Sequence, residues 1–500
     1  MKLEAGALDR LASLDPLLER LLRDSRVPGV AIAIVAGGEA VFARGYGYRD
    51  LANRRPMTSK TIYPIASTTK AMNATLVGML VDQGLLSWDA PVQRYLPDFR
   101  LGDAFVSSQV TVRDLIVMRT GLPRHDWMWD AYPTDRRTLV KGLAFLERSA
   151  GFRERFQYNN LTAMTAGYLA EVVTGETWES LAHSKLLEPL GMTSTTFGLP
   201  AADSVSLSYL ENTRRELILT HRLSSEVTAP SGGAIHSTVE DMTQWLRLNL
   251  ADGCVANRRL LQSRTLKEIH EPCVLAGVDQ GAISERSAYA LGWFVDTCRG
   301  ERRISHGGYL HDVESSVMLF PESDVGIVSF SNFGPVRIAS VLNEQVLDLL
   351  HGRAGGASLG DKIKDYERKV AETRTRLASV VRVADTAPSH ALECYAGAYE
   401  HPAYGSVEIR RQGQTLVFER GGLSLPLEHW HYDAWVAQES DLFPLHVPHA
   451  FDRSSRLLFE TDADGAIAAF TIRLEPTVAP IRFSRPPSPP GPAPSAIAEL

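Results

Sequence analysis

Near Pro388 the chain changes texture, and that break constrains what it can fold into. Up to about residue 350, helical and strand signals alternate. After Pro388 short alternating runs follow one another (SVEIRR, TLVFER, LSLPLEHW, RLLFETD, AIAAFTIRL), with turns at Gly413, Gly421-Gly422 and Asp464-Gly465. Runs of that length and spacing predict a small antiparallel barrel or sandwich. A chain of 500 residues also exceeds the roughly 250–300 residues that one core can organise. The expected organisation is a mixed α/β unit over 1–352, a helical linker over 353–388, an all-β unit over 389–485 and a disordered proline-rich tail over 486–500.

Within the first unit, VAIAIV (30–35) and EAVFARGY (39–46) flank Ala36-Gly37-Gly38 and predict a hairpin. After Ser67 the pattern turns to a long apolar helix, 68–85, closed by Gly84. Further helices are predicted over 161–174, 177–187, 239–251 and 338–351. Residues 314–332 read as two apolar strands joined by a turn at Pro321–Asp324. Strands at both ends with helices between them predict an α+β (mixed α/β) body, an antiparallel sheet flanked by helices. The linker DKIKDYERKVAETRTRLASVV is a highly charged helix and reads as a spacer.

Composition narrows the function. Hydrophobic content of 44% with 22% charged residues is ordinary for a globular chain, and the net charge of −7 offers nucleic acid no basic face. No apolar run reaches the ~18–20 residues of a membrane span. The start, MKLEAGALDRLASLD, mixes charges through an amphipathic pattern and has no signal-peptide core, so a cytoplasmic location is expected. Cys254, Cys273, Cys298 and Cys394 stand far apart, with no CxxC pair and no histidine at metal-ligand spacing. Free buried thiols are expected, and no zinc site or disulfide framework.

Three short motifs carry chemistry. In Ser67-Thr68-Thr69-Lys70 the serine stands where the apolar helix begins and meets the positive end of its dipole. Lys70, three residues on, lies one turn later on the same face. There a desolvated lysine amine can serve as base for a serine hydroxyl, although a capping serine and a solvated lysine would give the same pattern. In Tyr158-Asn159-Asn160 a phenol can relay a proton, and Asn160 reads as the N-cap of the following helix. Its amide could also hold a lysine or a substrate carbonyl. In His306-Gly307-Gly308 two glycines let a substrate backbone approach, and the histidine can orient or donate protons.

Together, in this order, SxxK, YxN and HGG resemble the serine β-lactamase and penicillin-binding-protein superfamily, whose third motif is usually KTG. The histidine form is familiar in D-aminopeptidases, CubicO-type serine peptidases and β-lactamase-like esterases. Flanking stretches extend the likeness: VPGVAIAIVAGGEAVFARGYGYRD, IYPIASTTKAMNA, GLLSWDAPVQRYLPDF, TVRDLIVMRTGLPRHD, LGMTSTTF, PSGGAIHSTVEDM and ALGWFV. The C-terminal stretch from YAGAYEHPAYGSVEIRR to LEPTVAPIRFSR is similar to the lipocalin-like barrel appended to CubicO-type peptidases and penicillin-binding-protein-type thioesterases.

The resemblance implies that Ser67 is the nucleophile and that Lys70 activates it. Tyr158 would share the proton traffic, and Asn160 would orient Lys70 and the substrate amide. His306 would replace the KTG lysine, assisting the leaving group or holding a carboxylate by charge or hydrogen bond. Gly307 and Gly308 would line the substrate site, with an oxyanion hole from the backbone N–H groups of Ser67 and Tyr309. Such covalent catalysis calls for no metal and no cofactor. The missing KTG lysine and the missing export sequence argue against antibiotic and cell-wall substrates.

The resemblance therefore implies a serine hydrolase that cleaves an amide or ester bond of a small molecule or peptide, as a peptidase or esterase. One alternative is a penicillin-binding-protein-type thioesterase that cyclises and releases a nonribosomal peptide, with a carrier-bound substrate. Another is a non-catalytic protein that binds a ligand in the barrel. Neither nucleic acid nor membrane is an expected partner, and a homo-oligomer stays open. Other residues invite roles. His125 and Asp126 read as a loop near the cleft or as a second acid–base pair. His429 and His431 alternate with Trp430 and Tyr432, and would face outward if Trp430 faced the barrel core. Arg482 and Arg485 could grip a substrate carboxylate or stand as solvated charges.

Overall fold

The computed structural model describes residues 3–486, apart from residue 5 and the segments 130–133, 201–202, 213, 221–225, 257, 278–286, 311, 354–358 and 439–454. The expected tail from residue 487 onward lies outside the described residues. Among the described residues, the larger unit is built on a nine-stranded antiparallel sheet. Its order runs Val274–Leu275, Ala288–Tyr289, Phe294–Cys298, Glu301–Leu310, Val313–Phe320, Val325–Ser331, Gly29–Ala36, Glu39–Asp50 and Arg55–Pro56.

The predicted hairpin forms as Gly29–Ala36 and Glu39–Asp50, and turns through Gly37 and Gly38 at φ of 60° and 78°. Both angles lie in the left-handed region that glycine enters without steric cost. The predicted pair near residue 320 forms as Val313–Phe320 and Val325–Ser331. The two pairs then join edge to edge, with Ile34 opposite Ile327. The first strand of the unit is therefore closed by one of its last.

Gly29–Ala36 is buried throughout, and its side chains alternate between two cores. Val30, Ile32 and Ile34 pack with the helices Leu14–Ser25 and Ala339–Leu350. Ala31, Ala33 and Val35 belong to the core that also holds Thr69–Asp82, Asn160–Thr174 and Val239–Leu250. Removing each such valine or isoleucine from water contributes about 1.5–3 kcal/mol, which fixes the register because a one-residue slip would exchange the faces.

The charged linker is more than a spacer. It forms Leu359–Ala378, and its stripe at Tyr366 and Val370 enters the core beside Leu342 and Val346. Tyr366 Oη donates to Glu211 Oε2 at 2.9 Å. The charged residues that suggested a solvated helix occupy only its outer face.

Beyond it, eight strands from Gly397–His401 to Ile481–Ser484 close into a barrel. Closure comes where Glu400 pairs with Ser484. The interior is packed with rings: Tyr395 lies 5.0 Å from Phe459, Tyr399 5.1 Å from Phe470, and Phe470 stacks on Phe483 at 5.1 Å.

Barrel packing also corrects other expectations. Trp430 faces Val380 and Ala434 on the linker side and not the barrel core, because Leu427 and His429 take the inner face of the same strand. His429 packs on Trp435, and its Nε2 hydrogen-bonds the Tyr432 carbonyl. Arg482 binds Glu460 Oε2 at 2.8 Å and Ser484 Oγ at 2.7 Å. Arg485 donates to the carbonyls of Cys394 and Ala396. Both arginines serve the barrel itself. The four cysteines are free thiols, but only Cys298 is buried; Cys394 is exposed.

Candidate active site

Ser67 stands in a single tight turn, Ala66–Thr68, that runs directly into the helix Thr69–Asp82. The turn is strained: Ala66 has a φ of 49°, a region that residues with a Cβ seldom enter. Two glycines press on it from opposite elements. A Cβ on Gly232 would lie 2.8 Å from the Ser67 amide nitrogen and 2.6 Å from the Ala66 carbonyl oxygen. A Cβ on Gly308 would lie 2.5 Å from the Ile65 carbonyl and 2.1 Å from Ser315 Oγ. Both positions require glycine because backbone meets backbone there.

The helix after Ser67 is buried on every side from Thr69 to Leu80, as its apolar sequence demands. Lys70 is carried inward with it and is only 2% exposed. Its Nζ lies 3.0 Å from Ser67 Oγ, 2.7 Å from Asn160 Oδ1 and 2.5 Å from the Ser231 carbonyl oxygen. Burial, and after it the Arg124 guanidinium, hold the Lys70 amine well below the usual lysine range, while Asp126 opposes this. A neutral amine has two hydrogens and one lone pair. Asn160 Oδ1 and the Ser231 carbonyl can only accept, so they take the hydrogens and leave the lone pair facing Ser67.

Tyr158 is buried, with its ring 4.8 Å from Lys70 Nζ. Burial pushes its phenol up to about 12, and a hydrogen bond with Ser67 opposes that rise. The phenol therefore stays protonated, and Lys70 is the better base.

Asn160 was expected to cap its helix, but Asn159 does so, accepting from the Thr162 N–H at 2.8 Å. The first asparagine takes the free backbone donor, which releases the second to face Lys70. His306 is buried, and burial followed by the charge of Lys70 pushes its imidazole down to about 3. Its Nδ1 lies 2.6 Å from the Gly307 carbonyl and its Nε2 3.1 Å from Tyr289 Oη. The tautomer with hydrogen on Nδ1 satisfies both, Tyr289 donating to Nε2. A neutral imidazole so engaged would meet a substrate by hydrogen bond rather than by charge.

The strand Glu301–Leu310 pairs with Phe294–Cys298 only as far as Ser305. Past that point it runs beside the Ser67 turn, with Gly307 exposed, Gly308 against the turn and Tyr309 opposite Glu314. His125 and Asp126 form a loop at the cleft: Asn160 Nδ2 donates to Asp126 Oδ1 at 2.9 Å.

Three contributors escaped the sequence reading. The Ser231 carbonyl is invisible as a residue type, although the PSGG diglycine marks its loop. Tyr289 stands just before ALGWFV and carries no motif of its own. Arg124 lies over the Tyr158 ring at 4.9 Å, and only its place in GLPRHD hinted at the cleft.

Residues 14–351 match the Beta-lactamase family. The chain belongs to that family. Residues 381–485 match a domain of unknown function, DUF3471, and so cover the barrel. The chain is 27% identical over 409 residues to an unguisins hydrolase of Aspergillus campestris, covering 77% of this chain and 74% of that one. It is 25% identical over 382 residues to protein flp of Staphylococcus aureus, covering 74% and 73%. Among solved structures it resembles the octameric penicillin-binding protein homologue from Pyrococcus abyssi, with a TM-score of 0.60, 20% identity and coverage of 95% and 100%. It also resembles SurE, with a TM-score of 0.58, 18% identity and coverage of 95% and 99%. Among the described residues no helix is long and apolar enough to cross a membrane.

Proposed function

We propose that this chain is a serine hydrolase that cleaves an amide or ester bond through an acyl-enzyme on Ser67. The observation that carries the reading is the buried Lys70 amine, 3.0 Å from Ser67 Oγ and held by Asn160 Oδ1 and the Ser231 carbonyl. Lys70 Nζ takes the Ser67 proton as Oγ attacks the substrate carbonyl. The resulting oxyanion meets the backbone N–H groups of Ser67 and Tyr309; each such donor typically supplies ~2.7–4 kcal/mol to the transition state. The proton then passes from Lys70 to the leaving group, with the protonated Tyr158 phenol as relay. A water repeats the sequence against the acyl-enzyme and releases the acid. His306, neutral and held by Tyr289, shapes the cleft wall beside Tyr158. That favours substrates without a carboxylate at the position where a KTG lysine would grip one. The likeness to an unguisins hydrolase of Aspergillus supports hydrolysis over transfer.

One mass-spectrometric competition tests the reading. Wild type and Ser67→Ala are given a short-chain ester, L- and D-amino acid amides, and a linear peptidyl thioester bearing a free amine. Ser67-dependent hydrolysis of an ester or amide is expected, and the preferred member defines the substrate class. A thioester product lighter than its hydrolysed form by one water would replace hydrolysis with cyclisation. Turnover that persists in Ser67→Ala would remove Ser67 from the mechanism.

A further inference from the structure

One loop, Arg124-His125-Asp126, touches both the catalytic centre and the barrel. On the catalytic side, Asn160 donates through Nδ2 to Asp126 Oδ1 at 2.9 Å and accepts at Oδ1 from Lys70 at 2.7 Å. The two ends of an asparagine amide are not equivalent, so whatever binds one end decides which atom the other presents. A carboxylate only accepts, so Asp126 draws the NH2 group to itself and turns the carbonyl oxygen toward Lys70. Asp126 is itself fixed by Arg124 Nε at 2.7 Å on Oδ2 and by Trp129 Nε1 at 3.2 Å on Oδ1.

On the other side, His125 is fully buried, with a φ of 47° in the left-handed region. Such backbone persists where the surroundings hold it, and His125 is held at three points. Its N–H donates to Glu475 Oε2 at 3.1 Å, and its Nε2–H donates to the Glu147 carbonyl at 2.9 Å. The free Nδ1 then accepts from Tyr404 Oη at 2.7 Å. Tyr404 lies within the barrel between Gly397–His401 and Gly405–Gln412, and Glu475 in its last connection, between Ile467–Ile472 and Ile481–Ser484. Barrel and catalytic unit thus grip the same residue from both sides.

We propose that Asp126 is the positioning residue that aims Asn160, and through it Lys70, and that the barrel holds Asp126 in place through Tyr404 and Glu475 on His125. The inference rests on the reading of Ser67 and Lys70 as nucleophile and base. It gives the barrel a role in catalysis with no ligand of its own.

The test measures, on the full chain, the second-order rate of Ser67 labelling by a fluorophosphonate, together with the melting temperature. Asp126→Ala is expected to slow labelling on the order of ten- to a hundredfold, the scale of a misplaced catalytic group. Asp126→Asn, which still offers Asn160 an acceptor oxygen, should stay within about threefold of wild type. Charge alone predicts the opposite for the alanine variant, because Asp126 favours the protonated form of Lys70. Slower labelling on its removal therefore reports position. The double variant Tyr404→Phe/Glu475→Ala should slow labelling about three- to tenfold, a partial form of the same misplacement.

Wild-type labelling by Asp126→Ala, or equal slowing by Asp126→Asn, would overturn the positioning role. Wild-type labelling by the double variant would overturn the barrel's part in it. Should Asp126→Ala not fold, Asp126→Glu keeps the charge and displaces the oxygen. Slow labelling is again expected, and a wild-type rate again overturns the role. A wild-type chain that is not labelled on Ser67 would instead bring down the reading of the site, and this inference with it.

Discussion

The cleft beside Ser67 and the interior of the barrel both bury large side chains, yet they are furnished in opposite ways. In the cleft a lysine amine is buried to 2% exposure and ringed by acceptors. In the barrel, Tyr395, Tyr399, Phe459, Phe470 and Phe483 pack ring on ring. A buried polar group costs stability unless it is satisfied, whereas buried rings contribute it. The cleft buries a polar amine and satisfies it with Ser67, Asn160 and the Ser231 carbonyl, whereas the barrel buries rings against rings.

The contrast can be broken from either side. Lys70→Ala should slow acylation of Ser67 on the order of 10²–10⁴-fold, the usual worth of a general base, and lower the melting temperature less than a core-ring truncation does. Burst kinetics and calorimetry on one preparation check both halves. A labelling rate near wild type would mean that the lone pair is not the source of reactivity. Phe459→Ala should do the reverse, costing about 3–5 kcal/mol in a urea titration and leaving the labelling rate of the folded protein unchanged.

A pH series sharpens the difference further. The His306 imidazole is pushed from its ordinary 6.5 down to about 3 by burial, and then by Lys70. Between those values the unfolded chain binds a proton that the folded chain refuses, so stability falls as pH drops through that window and is flat above it. His306→Gln should lose less stability than wild type between pH 6.5 and 4, read as urea midpoints. Equal slopes would place the imidazole in water. At the far end stands Arg482→Ala, which breaks an exposed ion pair to Glu460. It should change stability by no more than about 0.5 kcal/mol and leave turnover untouched, whatever carboxylate the substrate carries.

Where residue type alone decides an outcome, the amino-acid sequence was a good guide. The apolar helix after Ser67 declared itself, and with it a lysine one turn from the serine, although the motif alone left open whether Lys70 is buried or solvated. The glycine turn at Gly37-Gly38 likewise declared the hairpin, and the alternation after Pro388 an antiparallel barrel or sandwich. It was a poor guide where two similar residues compete or where the backbone acts. Asn159 and Asn160 are the same residue, and only the path of the chain decides which one caps the helix. The Ser231 carbonyl belongs to every residue type alike. Trp430 follows the alternation of its strand, but residue type does not say which of the two faces is the inner one. The linker misled for another reason: Tyr366 and Val370 are few among many charges, and their partners Glu211 and Leu342 are remote in sequence.

The pairing of Ile34 with Ile327 has a consequence in time. Ribosomes add about 5–20 residues per second, so the first strand emerges roughly fifteen seconds to a minute before the one that closes it. Until then Gly29–Ala36 has only its hairpin neighbour, Glu39–Asp50, on one edge. Its other edge stays open to any strand that passes. Contacts so distant along the chain make folding slow and leave such edges exposed to association. The step that completes the sheet is thus a late one in the life of the nascent chain. Conditions that lengthen the wait should lower the yield of active enzyme more than they lower the stability of what does fold.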